Sequence, residues 1–308
     1  MNFTHIYSSA IRGATLKGLI MTSPRVSFEF FPPNSLTGSF RLWDTVRVLS
    51  NLSPEFISIT HGTSGKSLEL TSETSKIIKN IHEIDVVPHL TWINSTRNQA
   101  LKNAKAIFKL GITDLLALRG DDRKETNYAN LSDIYSDTLE FIKDLRQLTQ
   151  GKIRVAAYPE KHPNSVDSEQ DIEWLKKKFT AGADEAITQF FFEADTFLRF
   201  RDNCEKSGIK NKIIPGILPI HNLEKVKIMA SLCGANIPNW VSEAFQKAKR
   251  DNRSQLLSTV ICSEMCQTLM EEGVEDFHFY TMNSSSPTYE VCKALGLRDN
   301  ISQMERVA

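Results

Sequence analysis

The chain has 308 residues, 41% of them hydrophobic and 24% charged, which supplies a large core and excludes disordered and fibrous classes. Thirty-seven basic and 37 acidic side chains cancel, so no net field draws the chain to nucleic acid or an anionic membrane. No apolar run reaches the roughly 20 residues of a membrane helix, and Arg12 and Lys17 interrupt Ile11 to Met21 as a secretory core, so a cytoplasmic enzyme acting on a small molecule is expected.

Residues 1–24 are the least legible stretch and are expected to pack on or near the main body. From residue 25 onward, strand-like runs alternate with helical patterns. The runs are Val26 to Phe31, Phe56 to Thr60, Val86 to Thr91, Asp114 to Arg119, Ile153 to Tyr158, Glu185 to Phe192, Ile213 to Leu218 and Asp276 to Met282. Most begin about 30 residues apart, the length of one strand plus one crossover helix.

After the third strand, Thr96 reads as a helix cap, Leu101, Ala104 and Phe108 recur at helical spacing, and Gly111 stands where a terminating glycine belongs. Leu131, Tyr135, Thr138, Ile142 and Leu145 repeat the pattern after the fourth. The last gap is twice as long, with helices expected around Leu223 to Leu232, Val241 to Lys249 and Ser254 to Glu272, an insertion rather than a second domain. Eight even units without a composition break predict a single-domain (β/α)8 TIM barrel over 25–308 rather than an open doubly wound sheet. Cys204, Cys233, Cys262, Cys266 and Cys292 lack any CxxC spacing and are expected to be buried thiols, with no metal site.

In such a barrel the chemistry lies at the C-terminal ends of the strands. Glu29 stands among Phe28, Phe30 and Phe31, where an ionised carboxylate is costly; it must be paired, or neutral with a raised pKa as a general acid is. Thr60 and His61 end strand two, His89 and Thr91 end strand three, and Arg119-Gly120-Asp121 end strand four. Tyr158, Glu160 and His162 follow strand five at alternate positions, and Gln189 breaks strand six. Taken singly, each also suits an ordinary loop hydrogen bond. The 14 glycines never fall two apart, so GxGxxG and the P-loop are absent, as are HExxH and GxSxG. A dinucleotide would need basic side chains or helix N-termini, and Asp171, Lys177 and Lys178 lie on the helix leading into strand six.

Val26-Ser27-Phe28-Glu29-Phe30-Phe31-Pro32-Pro33 resembles the opening strand of the methylenetetrahydrofolate reductases. The resemblance continues in order through Pro88-His89-Leu90-Thr91, Leu116-Ala117-Leu118-Arg119-Gly120-Asp121, Ala156 to Pro163, Ala181-Gly182-Ala183, Ile187 to Phe192, Ile214 to Pro219 and Asp276 to Thr281. It implies a barrel that binds FAD and works by ping-pong: NADH, rather than NADPH, reduces the flavin, and 5,10-methylenetetrahydrofolate then leaves as 5-methyltetrahydrofolate. The pathway implied is one-carbon metabolism and methionine biosynthesis, and the assembly a homo-oligomer, tetrameric in bacterial relatives.

By the same resemblance Glu29 is the acid that opens the folate ring, and Asp121 stabilises the cationic intermediate and tunes the flavin. Thr60 and Gln189 bind folate. His89, Arg119, Gly120, Tyr158, Glu160 and His162, with Thr60, His61 and Asp121, surround the flavin, and Asp171, Lys177 and Lys178 hold its ribityl and diphosphate portion. Three positions depart from the bacterial pattern: Trp174 stands for a polar residue, Lys177 for an arginine, and Ser284 follows Asn283 where an arginine is usual. At this length a regulatory domain such as longer relatives carry is not expected. Rival readings are a proline-dehydrogenase-like barrel flavoprotein, a non-catalytic flavin- or folate-binding relative and, weakest, a metal-dependent hydrolase.

Overall fold

Eight parallel strands hydrogen-bond in chain order and close into one barrel in the computed structural model, which describes residues 23–61, 67–121 and 133–300. The expectation for residues 1–24 lies outside the described residues except at its end, where the Ser23 hydroxyl donates to the Gly296 carbonyl at 2.9 Å. The elements run β1 (Arg25–Phe30), α1 (Leu36–Ser50), β2 (Phe56–Ile59), α2 (Ser67–His82), β3 (Val86–Thr91), α3 (Arg97–Phe108), β4 (Leu115–Leu118), α4 (Thr138–Arg146) and β5 (Ile153–Ala157). They continue α5 (Ser168–Ala181), β6 (Glu185–Phe190), α6 (Ala194–Lys206), β7 (Lys212–Ile217), α7 (Leu223–Cys233), α8 (Asn239–Arg250), α9 (Ser254–Glu271), β8 (Asp276–Tyr280) and α10 (Thr288–Ala294). The three helices of the long last gap are therefore α7 to α9, within the barrel domain.

Where the structure departs from the sequence pattern, a local hydrogen bond is the reason. The run expected to reach Phe192 stops at Phe190, because the Gln189 side-chain carbonyl takes the Phe190 N–H at 3.0 Å and the β6–β7 register shifts between Ile187 and Phe190. Thr96 caps α3 as expected, accepting from Gln99 N–H at 3.2 Å. The buried face of α3 is Ala100, Ala104 and Ile107, while Leu101 and Phe108 flank it half-buried, since small alanines let the helix approach the barrel. α4 starts later than its pattern suggested. Asp137 caps it by accepting from Leu139 and Glu140 N–H at 2.7 and 3.0 Å, leaving Tyr135 ahead of the helix and Leu131 outside the described residues. Four cysteines are buried, but Cys233 is half-buried because α7 ends at the barrel mouth.

Phe56, Val87, Leu116, Ile187 and Ile214 fill the inside of the barrel, and larger apolar clusters join the strands to the helices outside. The N-terminal end is closed by ion pairs: Arg25 and Lys212 on Asp276 at 2.8 and 2.6 Å, Lys152 and Arg154 on Glu185 at 2.6 and 2.9 Å, and Arg154 on Asp114 at 3.0 Å. At the opposite end the chain after β8 is tied back to β1. The Thr281 hydroxyl donates to the Glu29 carbonyl at 2.6 Å, and the buried Asn283 amide both accepts from Phe31 N–H at 3.0 Å and donates to Phe31 C=O at 2.8 Å.

Gly216 of β7 lets two strands and a tyrosine meet at the mouth. Its N–H donates to Thr188 Oγ1 at 2.9 Å, and the Tyr280 hydroxyl donates to the Thr188 carbonyl at 2.7 Å. A Cβ at Gly216 would lie 2.2 Å from that carbonyl oxygen and 2.6 Å from the Tyr280 ring. Gly216→Ala should therefore cost about 2–3 kcal/mol of stability in a urea titration, as overpacking against backbone does.

Candidate active site

Glu29 points into the barrel mouth and is paired, the first of the two options its apolar setting allows. Its Oε2 lies 3.3 Å from His89 Nε2 on β3 and 3.8 Å from His278 Nε2 on β8. Burial pushes the carboxyl up, but the two imidazoles outweigh it and hold Glu29 down at about 2. His278 is fully buried, and its Nδ1 lies 2.8 Å from the Ser27 hydroxyl and its Nε2 3.4 Å from the Ser58 hydroxyl. Burial lowers the His278 pKa below the ordinary imidazole value, against the pull of Glu29. The result is a carboxylate, two imidazoles and two hydroxyls around a place where one proton can be held.

A second group of predicted residues lines one cavity of about 530 Å³ beside the mouth: Arg119, Tyr158, His162, Asp171, Lys177 and Lys178, with Trp92 and Trp174 as its aromatic walls. Ser136, Asp137 and Thr138, at the N-terminus of α4, face the same space. Lys178 is only 8% exposed, its ammonium donates to the Ala156 carbonyl at 2.8 Å, and burial lowers it to about 8 against the opposing charge of Asp171. Asp171 turns both oxygens to the preceding loop, accepting from His162 N–H at 2.8 Å and from the Ser165 hydroxyl, so its first task is to shape the cavity rim. Tyr158 meets the His162 ring edge-on at 4.6 Å and is pushed up to about 12 by burial and by the charges of Cys233, Asp171 and Asp121.

Glu160, Tyr158 and Gln189 line a small recess with Cys233 and Gly234; the Glu160 carboxylate accepts from Asn236 N–H at 2.8 Å, and burial raises its pKa. Gly120 has φ +86°, and a Cβ there would meet Thr91 at 2.8 Å, so the turn before Asp121 packs onto β3 as an L side chain would not allow. Asp121 is exposed, its backbone carbonyl accepting from the Asn94 amide at 3.2 Å. Thr60 and His61 sit half-buried at the end of β2, outside the lining of either pocket, with Thr60 C=O accepting from the Thr71 hydroxyl at 2.9 Å. Ser284 turns inward on its own loop, donating to Ser286 C=O at 3.0 Å.

A sequence model of the methylenetetrahydrofolate reductases matches residues 17–296. The chain belongs to the methylenetetrahydrofolate reductase family, and so to the oxidoreductases. Among its relatives, the 5,10-methylenetetrahydrofolate reductase of Buchnera aphidicola subsp. Baizongia pistaciae is 43% identical over 272 residues, 88% of this chain and 90% of that protein. The Escherichia coli K12 enzyme of the same name is 38% identical over 281 residues, covering 90% and 92%. An uncharacterized Clostridium thermocellum protein described as binding two copies of 5-methyl-5,6,7,8-tetrahydrofolic acid superposes with a TM-score of 0.61 at 16% identity, covering 92% of this chain and 97% of that one, a likeness of fold.

Sequence reasoning missed His278, Ser27, Tyr280 and Gly216 as parts of the site. A signal was present: Ser27 and Glu29, Ser58 and Thr60, and Asp276, His278 and Tyr280 are polar residues two apart on strands, the spacing of one barrel-facing side. Partner choice was not in that signal. If His278 helps hold Glu29 ionised, His278→Leu should raise the Glu29 carboxyl well above 2, read by carbon-13 titration of its side chain. An unmoved value would leave His89 as the sole cause.

Proposed function

We propose that this chain reduces 5,10-methylenetetrahydrofolate to 5-methyltetrahydrofolate with NADH as electron source and FAD bound at the barrel mouth, the two substrates taking turns. The observation that carries this reading is the half-buried Glu29 carboxylate between His89 and His278. Opening the folate ring requires N10 to leave as a neutral amine, and that requires a proton held where water is excluded. Family membership narrows the substrate; the carboxylate held between two imidazoles supplies the chemical reason.

The cavity would take part of a flavin dinucleotide. Its volume of about 530 Å³ lies within the usual range for small-molecule sites. Arg119, Lys177 and the buried Lys178 ammonium are the lining cations that would meet a diphosphate, offset by the carboxylates of Asp137, Asp171 and Glu173 on the same walls. Lys177 supplies that charge without the bidentate fork of an arginine. Trp174 puts an aromatic face on the same wall.

When bound, the flavin supplies a two-electron relay between nicotinamide and folate. The chain's residues do the rest. Folate binding excludes water above Glu29, which strengthens the burial effect already opposing its ionisation and favours a protonated carboxyl. Glu29 passes that proton to N10, the methylene carbon becomes an iminium on N5, and Asp121 supplies the fixed negative charge that stabilises it until hydride arrives. Gln189 and Thr60 orient the pterin.

Stopped-flow with the FAD-loaded protein tests the reading. NADH should bleach the flavin band and methylenetetrahydrofolate should restore it, whereas bleaching without recovery would assign another acceptor. Glu29→Gln should cut folate-dependent recovery by at least about 10²-fold while leaving bleaching by NADH near wild type, because the second half-reaction alone needs the acid. Equal losses in both would remove Glu29 from the acid role.

Lys178 sets a pH dependence. Its free-state value of about 8 is raised by a bound diphosphate, so FAD affinity should fall as pH climbs above 8, by up to about tenfold per pH unit until the bound-state value is passed. Titrating the apoprotein with FAD at pH 7 and 9 measures this, and Lys178→Gln should flatten the difference.

A further inference from the structure

Beneath the proton-holding trio, contacts continue from His278 to the charged N-terminal end of the barrel. The His278 imidazole stacks on the Phe56 ring of β2, centroids 5.6 Å apart and planes 18° from parallel. The same Phe56 ring carries the Arg154 guanidinium of β5, 4.1 Å from its centroid. Arg154 is itself anchored by Asp114 at 3.0 Å and Glu185 at 2.9 Å, and its side chain is 5% exposed. A full positive charge is thus buried, fixed from below by two carboxylates and coupled through one aromatic ring to the imidazole that faces Glu29.

We propose that Arg154 and Phe56 form a positioning pillar for His278: the guanidinium fixes the Phe56 ring, the ring fixes the plane of the imidazole, and the buried charge disfavours an imidazolium there. Once folate covers the mouth, a proton entering the trio is then delivered to the carboxyl rather than stored on His278. The inference rests on the reading of Glu29 as the acid of folate reduction.

The groups facing His278 set the sign. Ser27 and Glu29 approach from β1, Ser58 and Phe56 from β2, His89 from β3 and Arg154 from β5, while Tyr280 on β8 itself meets its ring edge-on at 5.4 Å. Burial opposes the imidazolium most, Glu29 favours it, and His89 and Arg154 oppose it. Taking away the Arg154 charge therefore raises the His278 pKa, and the Asp114 and Glu185 carboxylates released from their partner act in the same direction.

Three variants test the pillar in the FAD-loaded enzyme: Arg154→Met, Arg154→Lys and Phe56→Leu. In Arg154→Met the alkaline limb of folate-dependent flavin reoxidation should move up by about one pH unit, as a full charge within roughly 10 Å at an effective dielectric of ~20 requires. Arg154→Lys, which keeps the charge, should leave that limb near wild type. Phe56→Leu leaves every ion pair at the barrel end in place and should slow reoxidation about tenfold, with flavin reduction by NADH and the folate KM unchanged.

Nitrogen-15 titration of the His278 ring gives an independent reading, rising in Arg154→Met and not in Arg154→Lys. If Arg154→Met does not fold, Phe56→Leu and Arg154→Lys decide the question. An unmoved His278 titration, equal shifts in both arginine variants, or equal slowing of both half-reactions in Phe56→Leu would overturn the pillar. Should wild-type flavin bleach with NADH and never recover with the folate, the reductase reading fails, while the His278 titration still decides whether Arg154 controls that imidazole.

Discussion

The site depends on the seam where β8 pairs with β1. Parallel pairing there sets Ser27 opposite His278 and Glu29 opposite Tyr280, joining residues some 250 positions apart in the chain. Without closure Glu29 would be an acidic residue on an open edge strand. With closure, the carboxylate receives one imidazole from β8 and another from β3, and its backbone carbonyl accepts from the Thr281 hydroxyl. The Asn283 bonds to both backbone groups of Phe31 then fix the exit of β1, so the orientation of Glu29 is set from both ends.

That carboxylate is poised between two large and opposed effects. Desolvation favours its neutral form, and the imidazoles favour its ionised form and win. A balance of this kind responds to what covers the mouth: a substrate that excludes water adds to the losing side, so protonation is coupled to occupancy. The same logic applies to Lys178, whose burial disfavours a charge that an anionic ligand would restore. In both cases burial opposes the charge on a side chain, and a ligand covering it would shift the balance.

The two ends of the barrel divide the labour. Ion pairs among Arg25, Lys152, Arg154, Lys212, Asp114, Glu185 and Asp276 close the N-terminal end, while the polar residues able to move a proton lie toward the C-terminal end. Phe56 lies in contact with both sets, its ring touching Arg154 and His278. Phe56 therefore joins the two ends by contact, while the Arg154 charge also acts on His278 directly.

The sequence by itself determined the eight strands, their order and the insertion before β8, because apolar periodicity and spacing are local properties and every barrel strand is followed by its own crossover. It also determined which polar residues stand at strand ends, and the cavity unites three of them, Arg119, Tyr158 and His162, with Asp171, Lys177 and Lys178 of α5. The structure alone decided how Glu29 is held. Pattern allowed a paired or a neutral carboxyl, and the choice fell to His278, a residue whose strand is distant in sequence and adjacent only after closure. It likewise decided that Asp171 shapes a loop, that β6 ends at the Gln189 register shift, and that the buried face of α3 is made of Ala100, Ala104 and Ile107. Side-chain partners and protonation depend on distances of a few ångströms between strands, and those distances exist only when the barrel is closed.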